Sequence, residues 1–393
     1  MAFKGVDYYN IDDLFTDEEK MFRDVARHFL EDEVEPLVVN AFHNEEPLNM
    51  EELAPEMGKL GMIGANIPQE YGGGGANYIQ FGLLCQELER VDGALRSFVA
   101  VQSGLVMYPI WQFGTEGQKR KWLPRIASGK TIGCFGLTEP NHGSDVAALD
   151  TVAKKDGNSW ILNGAKEWIS EGSTADIAVI YAGTEDGIRA FLVPRGAEGF
   201  SQTFMDKKGA MRCGDVGQIS LNDVKVAEED VLPKSTGLRQ VFMCLNQARY
   251  GISWGAIGAA MSCYETALNY AKEREQFGAL IASYQLVQQD LVDMLTEITK
   301  AQLLSYRLGR LLDAGKARHQ QISMAKRNNI GMARMCARTA RSLLGANGCS
   351  YDYPPIRHMG NIEAVYTYQG THFIHTLILG RDITGIQAFT REL

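Results

Sequence analysis

The sequence lacks an excess of positive charge. Its 393 residues contain 39 Lys and Arg against 48 Asp and Glu, which gives a formal net charge of -9 and a pI near 5.4. A protein that binds a nucleic acid polymer needs the opposite balance, because it must neutralise a row of phosphates. We therefore expect no nucleic acid partner, whereas a few local Arg side chains and backbone N–H groups can still hold a small anion.

The sequence also lacks paired cysteines. Seven cysteines occur without any Cys-x-x-Cys spacing: Cys85, Cys134, Cys213, Cys244, Cys263, Cys336 and Cys349. This scatter excludes a disulfide scaffold and predicts reduced thiols, as in a bacterial or archaeal cytoplasm or an organellar matrix. The first twenty residues have neither a basic start nor an apolar stretch, so we expect no secretory signal.

Long hydrophobic runs are absent too. The least polar helical stretch, residues 252–263, is too short to cross a bilayer, so no membrane span is expected. Its Gly and Ala content predicts a tightly packed helix instead. With 45% hydrophobic residues, the chain can nevertheless bury a large core and is expected to form two or three domains.

The order of patterns along the chain is helix, β, helix. Helical periodicity covers residues 17–126, and β-runs separated by turns follow at 151–162, 177–193 and 218–226. From residue 238 onward the helices are long. One helical face repeats at spacings of three and four through Val287, Leu291, Met294, Ile298, Ala301, Ser305, Leu308 and Leu312.

Five short motifs occur in a fixed order. Residues 134–145 read Cys-Phe-Gly-Leu-Thr-Glu-Pro-Asn-His-Gly-Ser-Asp, a loop whose N–H groups and hydroxyls suit an anion or a polar ring edge. The other four are Lys166-Glu167-Trp168-Ile169-Ser170, Arg274-Glu275-Gln276-Phe277-Gly278 with Gln285, Leu344-Gly345-Ala346-Asn347-Gly348, and Tyr368-Gln369-Gly370-Thr371-His372. In this order the chain resembles the acyl-CoA dehydrogenase family from end to end. Segments 87–102, 244–251 and 374–389 resemble its glutaryl-CoA dehydrogenases.

The resemblance implies a mainly α fold with a central β-domain. An N-terminal helical domain would span 1–130, a middle β-barrel-like domain 131–235, and a C-terminal four-helix bundle 236–393. It also implies a homotetramer with one FAD per subunit.

The resemblance assigns the FAD contacts residue by residue. The isoalloxazine ring would be lined by Phe135, Leu137, Thr138, Trp168, Ile169 and Ser170, with the Ser170 hydroxyl near the hydride-accepting N5. Gly143 and Ser144 would lie by the pyrophosphates and CoA, and Thr371 would touch FAD in the same subunit. The FAD of a neighbouring subunit would be reached by Arg274, Gln276, Phe277 and Gln285. A guanidinium such as that of Arg274 suits a pyrophosphate geometrically.

Some of these residues have simpler alternatives. Trp168 and Phe277 would, taken singly, be ordinary core aromatics. His372 and His375 lie three apart on a predicted helix, as metal ligands do, but no third ligand is evident and we expect no metal.

Arg96 is the residue that predicts the substrate class. Its neighbours in sequence are largely apolar, so a guanidinium buried there needs an anion. In the resembled subfamily the matching Arg and Ser (here Ser97) hold the distal carboxylate of a short dicarboxylyl-CoA, and a Glu (here Glu89) joins their cluster. The alternative is an internal Arg96–Glu89 ion pair, two helical turns apart on one face. Asn246 and Arg249 would contact the CoA arm.

The sequence lacks one residue that the resembled reaction needs. α,β-Oxidation of an acyl-CoA requires a carboxylate to take the α-proton, and Gln369 stands where the subfamily has that Glu. A carboxamide has essentially no basicity at neutral pH. The relocated bases of other relatives are missing as well, because position 248 is Ala and residues 93–115 contain neither Asp nor Glu.

Two explanations follow. The chain is either a glutaryl-CoA dehydrogenase whose Glu was deliberately replaced by Gln, or a natural homologue that binds acyl-CoA and FAD without α,β-oxidation, such as a non-redox glutaconyl-CoA decarboxylase. The retained Tyr368, Arg96, Ser97 and Glu89 favour the first. The parent reaction would oxidise glutaryl-CoA, release CO₂ to give crotonyl-CoA, and pass electrons to an electron-transferring flavoprotein.

Overall fold

A computed structural model describes residues 5–388, so Phe389, the last residue of the tail motif, lies outside the described part. Helices form most of the first third of the chain. They are α1 (Asp17–Phe29), α2 (Glu35–Asn44), α3 (Met50–Lys59), α4 (Tyr78–Val91), α5 (Gly93–Ala100), α6 (Tyr108–Phe113) and α7 (Glu116–Ala127). A π-helical segment, Val101–Met107, joins α5 to α6.

Three of these helices begin with reciprocal side-chain caps. Thr16 caps α1 with Glu19 at the third helical position, Asn77 caps α4 with Gln80, and a third such pair opens α7. Each pair satisfies two backbone N–H groups that have no partner inside the helix, so the sequence itself specifies where the helices start.

A single sheet of seven strands occupies the middle of the chain. Its strands are β1 (Gly133–Gly136), β2 (Val152–Asp156), β3 (Ser159–Ser170), β4 (Ile177–Thr184), β5 (Gly187–Pro194), β6 (Phe200–Phe204) and β7 (Val216–Ala227). The strand order is β1-β4-β2-β3-β7-β6, with β5 paired to β4. Strands β3 and β7 run antiparallel, and their register is interrupted between Lys166 and Ile169. That interruption matters for the site.

Long helices return after the sheet, interrupted by one short hairpin. The helices are α8 (Leu238–Glu273), α9 (Gln285–Asp313), α10 (His319–Leu343), α11 (Pro354–Thr367) and α12 (His372–Thr384). The hairpin between α8 and α9 consists of β8 (Glu275–Gln276) and β9 (Ala279–Leu280). The predicted face of α9 is buried at Leu291, Met294, Ile298, Ala301, Ser305 and Leu308, which confirms the periodicity. Residues 252–263 lie inside α8, where all but Ser262 are buried, as their Gly and Ala content predicts.

The two helical regions share one hydrophobic core, because α4 packs closely against α8. Gly258 on α8 allows this approach, since a Cβ there would lie 1.9 Å from the carbonyl oxygen of Gln86. The predicted fold class, mainly α with a central β-domain, is confirmed. Across residues 5–388, no helix has both the length and the apolar character that a membrane span requires.

We expect Gly258→Ala to lower the free energy of unfolding by about 3 kcal/mol, because the added methyl must push two helix backbones apart. The control is Gly331→Ala on α10, where a Cβ meets no atom within 4 Å. That change should raise the free energy of unfolding by about 0.5–1 kcal/mol, because Ala favours the helix. Urea unfolding of both variants measures the difference, and equal effects would contradict the described α4–α8 contact.

Candidate functional site

Four parts of the fold meet at one place. Helices α4 and α5 supply Glu89, Arg96 and Ser97, the end of β3 supplies Ser170, and the remaining residues come from α8 and the turn between α11 and α12. The contacts between them are direct. Ser97 Oγ lies 3.5 Å from Ser170 Oγ, which joins the N-terminal helices to the sheet.

Arg96 is the centre of this site and is only 2% exposed. Its Nε donates to Glu89 Oε2 at 2.6 Å, and its Nη2 donates to the Tyr368 hydroxyl. The carbon of its guanidinium group also lies 5.7 Å from the centre of the Tyr368 ring. Among the described residues, Nη1 has no hydrogen-bond acceptor. Both N–H groups of Nη1 are therefore left for a ligand.

The charges of this cluster influence one another strongly. Burial raises the pKa of Glu89, and the attraction of Arg96 only partly offsets it. Burial acts to lower the pKa of Arg96, but Glu89 and Tyr368 raise it above its usual range. Burial raises the pKa of Tyr368 to about 12. Arg96 is therefore a cation and Tyr368 a neutral phenol at neutral pH.

The Arg96–Glu89 ion pair exists, but its predicted placement along one helix is wrong. Asp92 adopts an extended conformation and caps α5 by accepting from the N–H of Ala94 at 2.8 Å, so α4 and α5 are separate helices. Helix α8 makes room for the pair at Gly255, where a Cβ would lie 1.9 Å from Glu89 Oε2. The internal pair and a ligand site are compatible, because the pair leaves Nη1 uncommitted.

The turn that contains Gln369 is held by two buried basic side chains. Gln369 has a left-handed backbone with φ 56°, and its side-chain Oε1 is buried without a hydrogen-bond partner among the described residues. Its carbonyl oxygen accepts from Arg249 Nε at 2.9 Å, and Arg249 Nη1 also contacts Asn246 Oδ1 at 3.3 Å. Burial lowers the pKa of Arg249 to about 10, which still leaves it charged at neutral pH.

Sequence reasoning missed Lys326, the second basic side chain at this turn. Its Nζ lies 2.5 Å from the carbonyl oxygen of Tyr368, 2.6 Å from that of Gly370 and 3.5 Å from that of Gln369. Burial, together with Arg249 and Arg96, lowers the pKa of Lys326 well below its usual value. The signal was present in the periodicity of α10, because Lys326 shares the buried face of Ile322, Asn329 and Ile330.

The predicted loop at 134–145 meets the strand that carries Trp168. The N–H of Glu167 donates to the carbonyl oxygen of Thr138 at 2.9 Å. Lys166, the first residue of the motif that contains Trp168, donates to Glu139 Oε1 at 2.7 Å and to the carbonyl oxygen of Leu137 at 3.2 Å. The two motifs therefore form one surface, with Phe135, Leu137 and Ile169 buried and Thr138 and Ser170 half-buried.

Trp168 and Phe277 are not core aromatics, so that alternative is wrong. Trp168 sits at the register interruption of β3 with φ 59° and is 58% exposed, so its indole is available to a planar ligand. Phe277, with φ 53°, is at the tip of the β8–β9 hairpin and is 98% exposed. This exposed apolar side chain suits contact with another molecule.

The remaining predicted residues lie outside the Arg96 cluster. Exposed positions are occupied by Gly143, Ser144, Arg274, Gln276 and Gln285. Thr371 caps α12 by accepting from the N–H of Ile374 at 3.1 Å. His375 is buried, and burial lowers its pKa to about 3.

One group of potential metal ligands lies elsewhere in the described chain. Oxygen and nitrogen atoms of Glu139, His142 and Asp150 come within 4.8 Å of one another. Glu139 already accepts from Lys166 and from the N–H groups of Asp150 and Thr151, so it is occupied by other donors. We assign no metal to this group.

Comparison with known proteins agrees with this architecture over nearly the whole chain. Residues 16–130, 134–224 and 235–384 match the N-terminal, middle and C-terminal domains of acyl-CoA dehydrogenases. A glutaryl-CoA dehydrogenase of Desulfococcus multivorans is 33% identical over 384 residues, which cover 95% of this chain and 98% of that protein. The chain belongs to the acyl-CoA dehydrogenase family.

Solved structures of the family superpose closely. A glutaryl-CoA dehydrogenase from Mycobacterium smegmatis is 45% identical with a TM-score of 0.95, covering 97% of this chain and 98% of that one. A second glutaryl-CoA dehydrogenase structure from that organism, in complex with FADH2, is 42% identical with the same TM-score and the same coverage of both chains.

We expect Arg96→Met to lower the free energy of unfolding at pH 7 by about 3–5 kcal/mol, because it leaves Glu89 buried without its cation. The pKa of Glu89, already raised by burial, should rise further. The folded variant then binds a proton that the unfolded chain releases, so its deficit relative to the parent should shrink as the pH falls from 7 toward 5.

The control adds Glu89→Gln to Arg96→Met. A carboxamide does not titrate, so this double variant should show no such pH dependence relative to the parent. A deficit of the single variant that is the same at pH 5 and pH 7 would contradict the described charge coupling.

Proposed function

We propose that this protein is an FAD-dependent acyl-CoA dehydrogenase built for glutaryl-CoA, whose α,β-oxidation is impaired by Gln369. The observation that supports the substrate most is the free Nη1 of Arg96. A guanidinium fixed by Glu89 and Tyr368 presents this donor from a buried position. The distal carboxylate of a five-carbon dicarboxylyl chain is the matching anion, because a charged donor in such a place binds a carboxylate strongly.

The surface formed by the 134–145 loop and the end of β3 fits a planar cofactor, and the cofactor of this family member is FAD. Trp168 offers an exposed ring face, and Thr138 and Ser170 offer hydroxyls beside it. Phe135, Leu137 and Ile169 would back the ring system, with Gly143, Ser144 and Thr371 at more polar parts of the cofactor. FAD, when bound, supplies the acceptor for the β-hydrogen that leaves as hydride.

The chain's own residues would orient the acyl group between two anchors. Arg96 and Ser97 would hold the distal carboxylate, and Asn246 and Arg249 would contact the CoA arm. At the thioester, the N–H of Gln369 has no acceptor among the described residues and would donate to the carbonyl oxygen. Such a donor stabilises the negative charge that develops on this oxygen when the α-proton leaves.

Gln369 leaves the α-proton without a base. Its Oε1 accepts hydrogen bonds but does not take a proton at neutral pH. Glu89, the carboxylate of this cluster, is paired with Arg96. We therefore propose that substrate binds and is oriented normally while proton removal is slow.

We expect Gln369→Glu to accelerate flavin bleaching by glutaryl-CoA by about 10²–10⁴-fold, the usual contribution of a general base. Anaerobic stopped-flow mixing measures the rate, and release of crotonyl-CoA reports decarboxylation. Butyryl-CoA is the control substrate, because it has no distal carboxylate for Arg96 to bind. A Glu variant that neither bleaches with glutaryl-CoA nor releases crotonyl-CoA would refute the proposed function.

A second function is favoured by the same missing base. Decarboxylation of glutaconyl-CoA breaks the carbon–carbon bond to the distal carboxylate, which leaves as CO₂. The electron pair of that bond passes into the conjugated thioester, and the chain is then protonated. No α-proton has to be removed. The Arg96 pocket and the Gln369 N–H would serve this reaction as well. Release of CO₂ from glutaconyl-CoA by the parent chain tests this second function. The two proposals differ in Gln369→Glu, which should bleach the flavin with glutaryl-CoA only under the first.

We further propose a homotetramer in which Arg274, Gln276, Phe277 and Gln285 contact the FAD of a neighbouring subunit. An electron-transferring flavoprotein would be the electron acceptor, in a bacterial or archaeal cytoplasm or an organellar matrix. The division into domains at 1–130, 131–235 and 236–393 belongs to this proposal. It would place FAD where all three domains approach one another.

Phe277→Ser should reduce both the tetramer fraction and the FAD content per chain, because a fully exposed aromatic in a hairpin is expected to be buried by a partner. Phe204→Ser, at a partly exposed position on β6, is the control and should leave both unchanged. Sedimentation velocity and flavin absorbance measure the two quantities. Unchanged assembly and FAD content in Phe277→Ser would refute the assigned contact.

A further inference from the structure

We propose that Lys326 is a positioning residue that aims and polarises the N–H of Gln369 toward the thioester oxygen of the substrate. This inference rests on the proposed function, since it assigns that N–H to an acyl-CoA. It adds a residue from α10 to a site otherwise formed by α4, α5, α8, β3 and the Tyr368–Thr371 turn.

The first support is the way in which Lys326 holds the turn. Its side chain is fully buried, and its Nζ reaches the carbonyl oxygens of three consecutive residues, Tyr368, Gln369 and Gly370. Even the neutral amino group of a lysine has two N–H donors, so one side chain can satisfy the two nearest acceptors, those of Tyr368 and Gly370. A turn fixed at three successive carbonyls has little freedom to rotate its peptide planes.

The second support is the geometry of the peptide between Tyr368 and Gln369. No peptide in the described chain is cis, so the C=O of Tyr368 and the N–H of Gln369 point in opposite directions from one plane. Lys326 binds the C=O at 2.5 Å. It therefore directs the N–H away from α10, and that N–H has no acceptor among the described residues.

The third support is electrostatic. A donor hydrogen bond to the carbonyl oxygen draws electrons along the peptide and makes its N–H a stronger donor, as in a cooperative hydrogen-bond chain. The charged groups that face Lys326 are Arg249 and Arg96, both cations. Within residues 5–388, the hydrogen bonds of Lys326 all go to backbone oxygens of this turn, so this peptide is the group that Lys326 polarises.

A purely structural role would be that of a helix cap. Lys326 would then hold the carbonyls after α11 and influence stability alone. The two roles differ in one observable, the polarisation of a thioester carbonyl in the bound ligand, which a cap would not change.

The test uses the FAD-loaded parent chain, because Gln369 allows a stable complex with glutaryl-CoA. The probe is glutaryl-CoA labelled with carbon-13 at the thioester carbonyl, observed by isotope-edited infrared difference spectroscopy. Binding should shift the carbonyl band to lower frequency. Lys326→Met should lose at least half of that shift while the Kd changes by less than about fivefold, and Lys316→Met, at an exposed lysine before α10, should lose none.

Lys326→Gln is a second variant, since it keeps an amide donor and should retain more of the shift than Lys326→Met. A measurement on the parent needs no substitution. Hydrogen exchange of peptides spanning residues 368–371 should slow on binding, because the free N–H gains an acceptor. Equal band positions in parent and Lys326→Met, or exchange unaffected by binding, would overturn the inference.

A failure of this inference can be distinguished from a failure of the proposed function. If glutaryl-CoA does not bind, the proposed function fails, and butyryl-CoA with the same label still tests Lys326. If glutaryl-CoA binds with a shifted band that no Lys326 variant alters, only the role of Lys326 fails.

Discussion

The buried ion pair between Arg96 and Glu89 is the interaction on which the site depends. Removing two charges from water is costly, and their attraction repays this only when the geometry and the remaining hydrogen bonds are good. Three features of the fold meet that condition: the break between α4 and α5 at Asp92, the missing side chain at Gly255, and the Tyr368 hydroxyl. Because Tyr368 adjoins position 369, the pair also fixes the turn at which the acyl-CoA would react.

The site has more positive than negative charge. Arg96, Arg249 and Lys326 are buried within it, and among the described residues only Arg96 of these three forms an ion pair with a carboxylate, that of Glu89. Such an arrangement favours a ligand that brings anions, in line with a distal carboxylate and a CoA arm. It also suits a carboxylate at position 369, where the present amide leaves its Oε1 without a partner. Under the proposed function, this cluster would hold an acyl-CoA without offering a base to deprotonate it.

Much of the fold could be predicted from the sequence, because helical periodicity and β-turn signals are local. The contact between Arg96 and Glu89 was predicted too, yet the helix break between them was not, since it depends on the capping by Asp92. Trp168 was predicted as a ligand-facing residue only through resemblance. Its exposure results from a register interruption between two strands that are distant in sequence.

Lys326 shows why a site is harder to predict than a fold. Its partners are the carbonyl oxygens of a turn 42–44 residues further along the chain, and backbone atoms leave no signature in sequence. Only its place on the apolar face of α10 hinted at an unusual role. Phe277 is the opposite case. An aromatic side chain suggests a buried core position, yet its place at the tip of a hairpin exposes it.

In the proposed function, Arg96 would receive the substrate's distal carboxylate while the turn at 369 would receive its thioester. A crystal structure of the FAD-loaded parent chain with glutaryl-CoA tests it most directly. We expect the carboxylate within hydrogen-bond distance of Arg96 Nη1 and the thioester oxygen at the N–H of Gln369. An acyl chain whose carboxylate points away from Arg96, with the Arg96–Glu89 pair left intact and unoccupied, would contradict it.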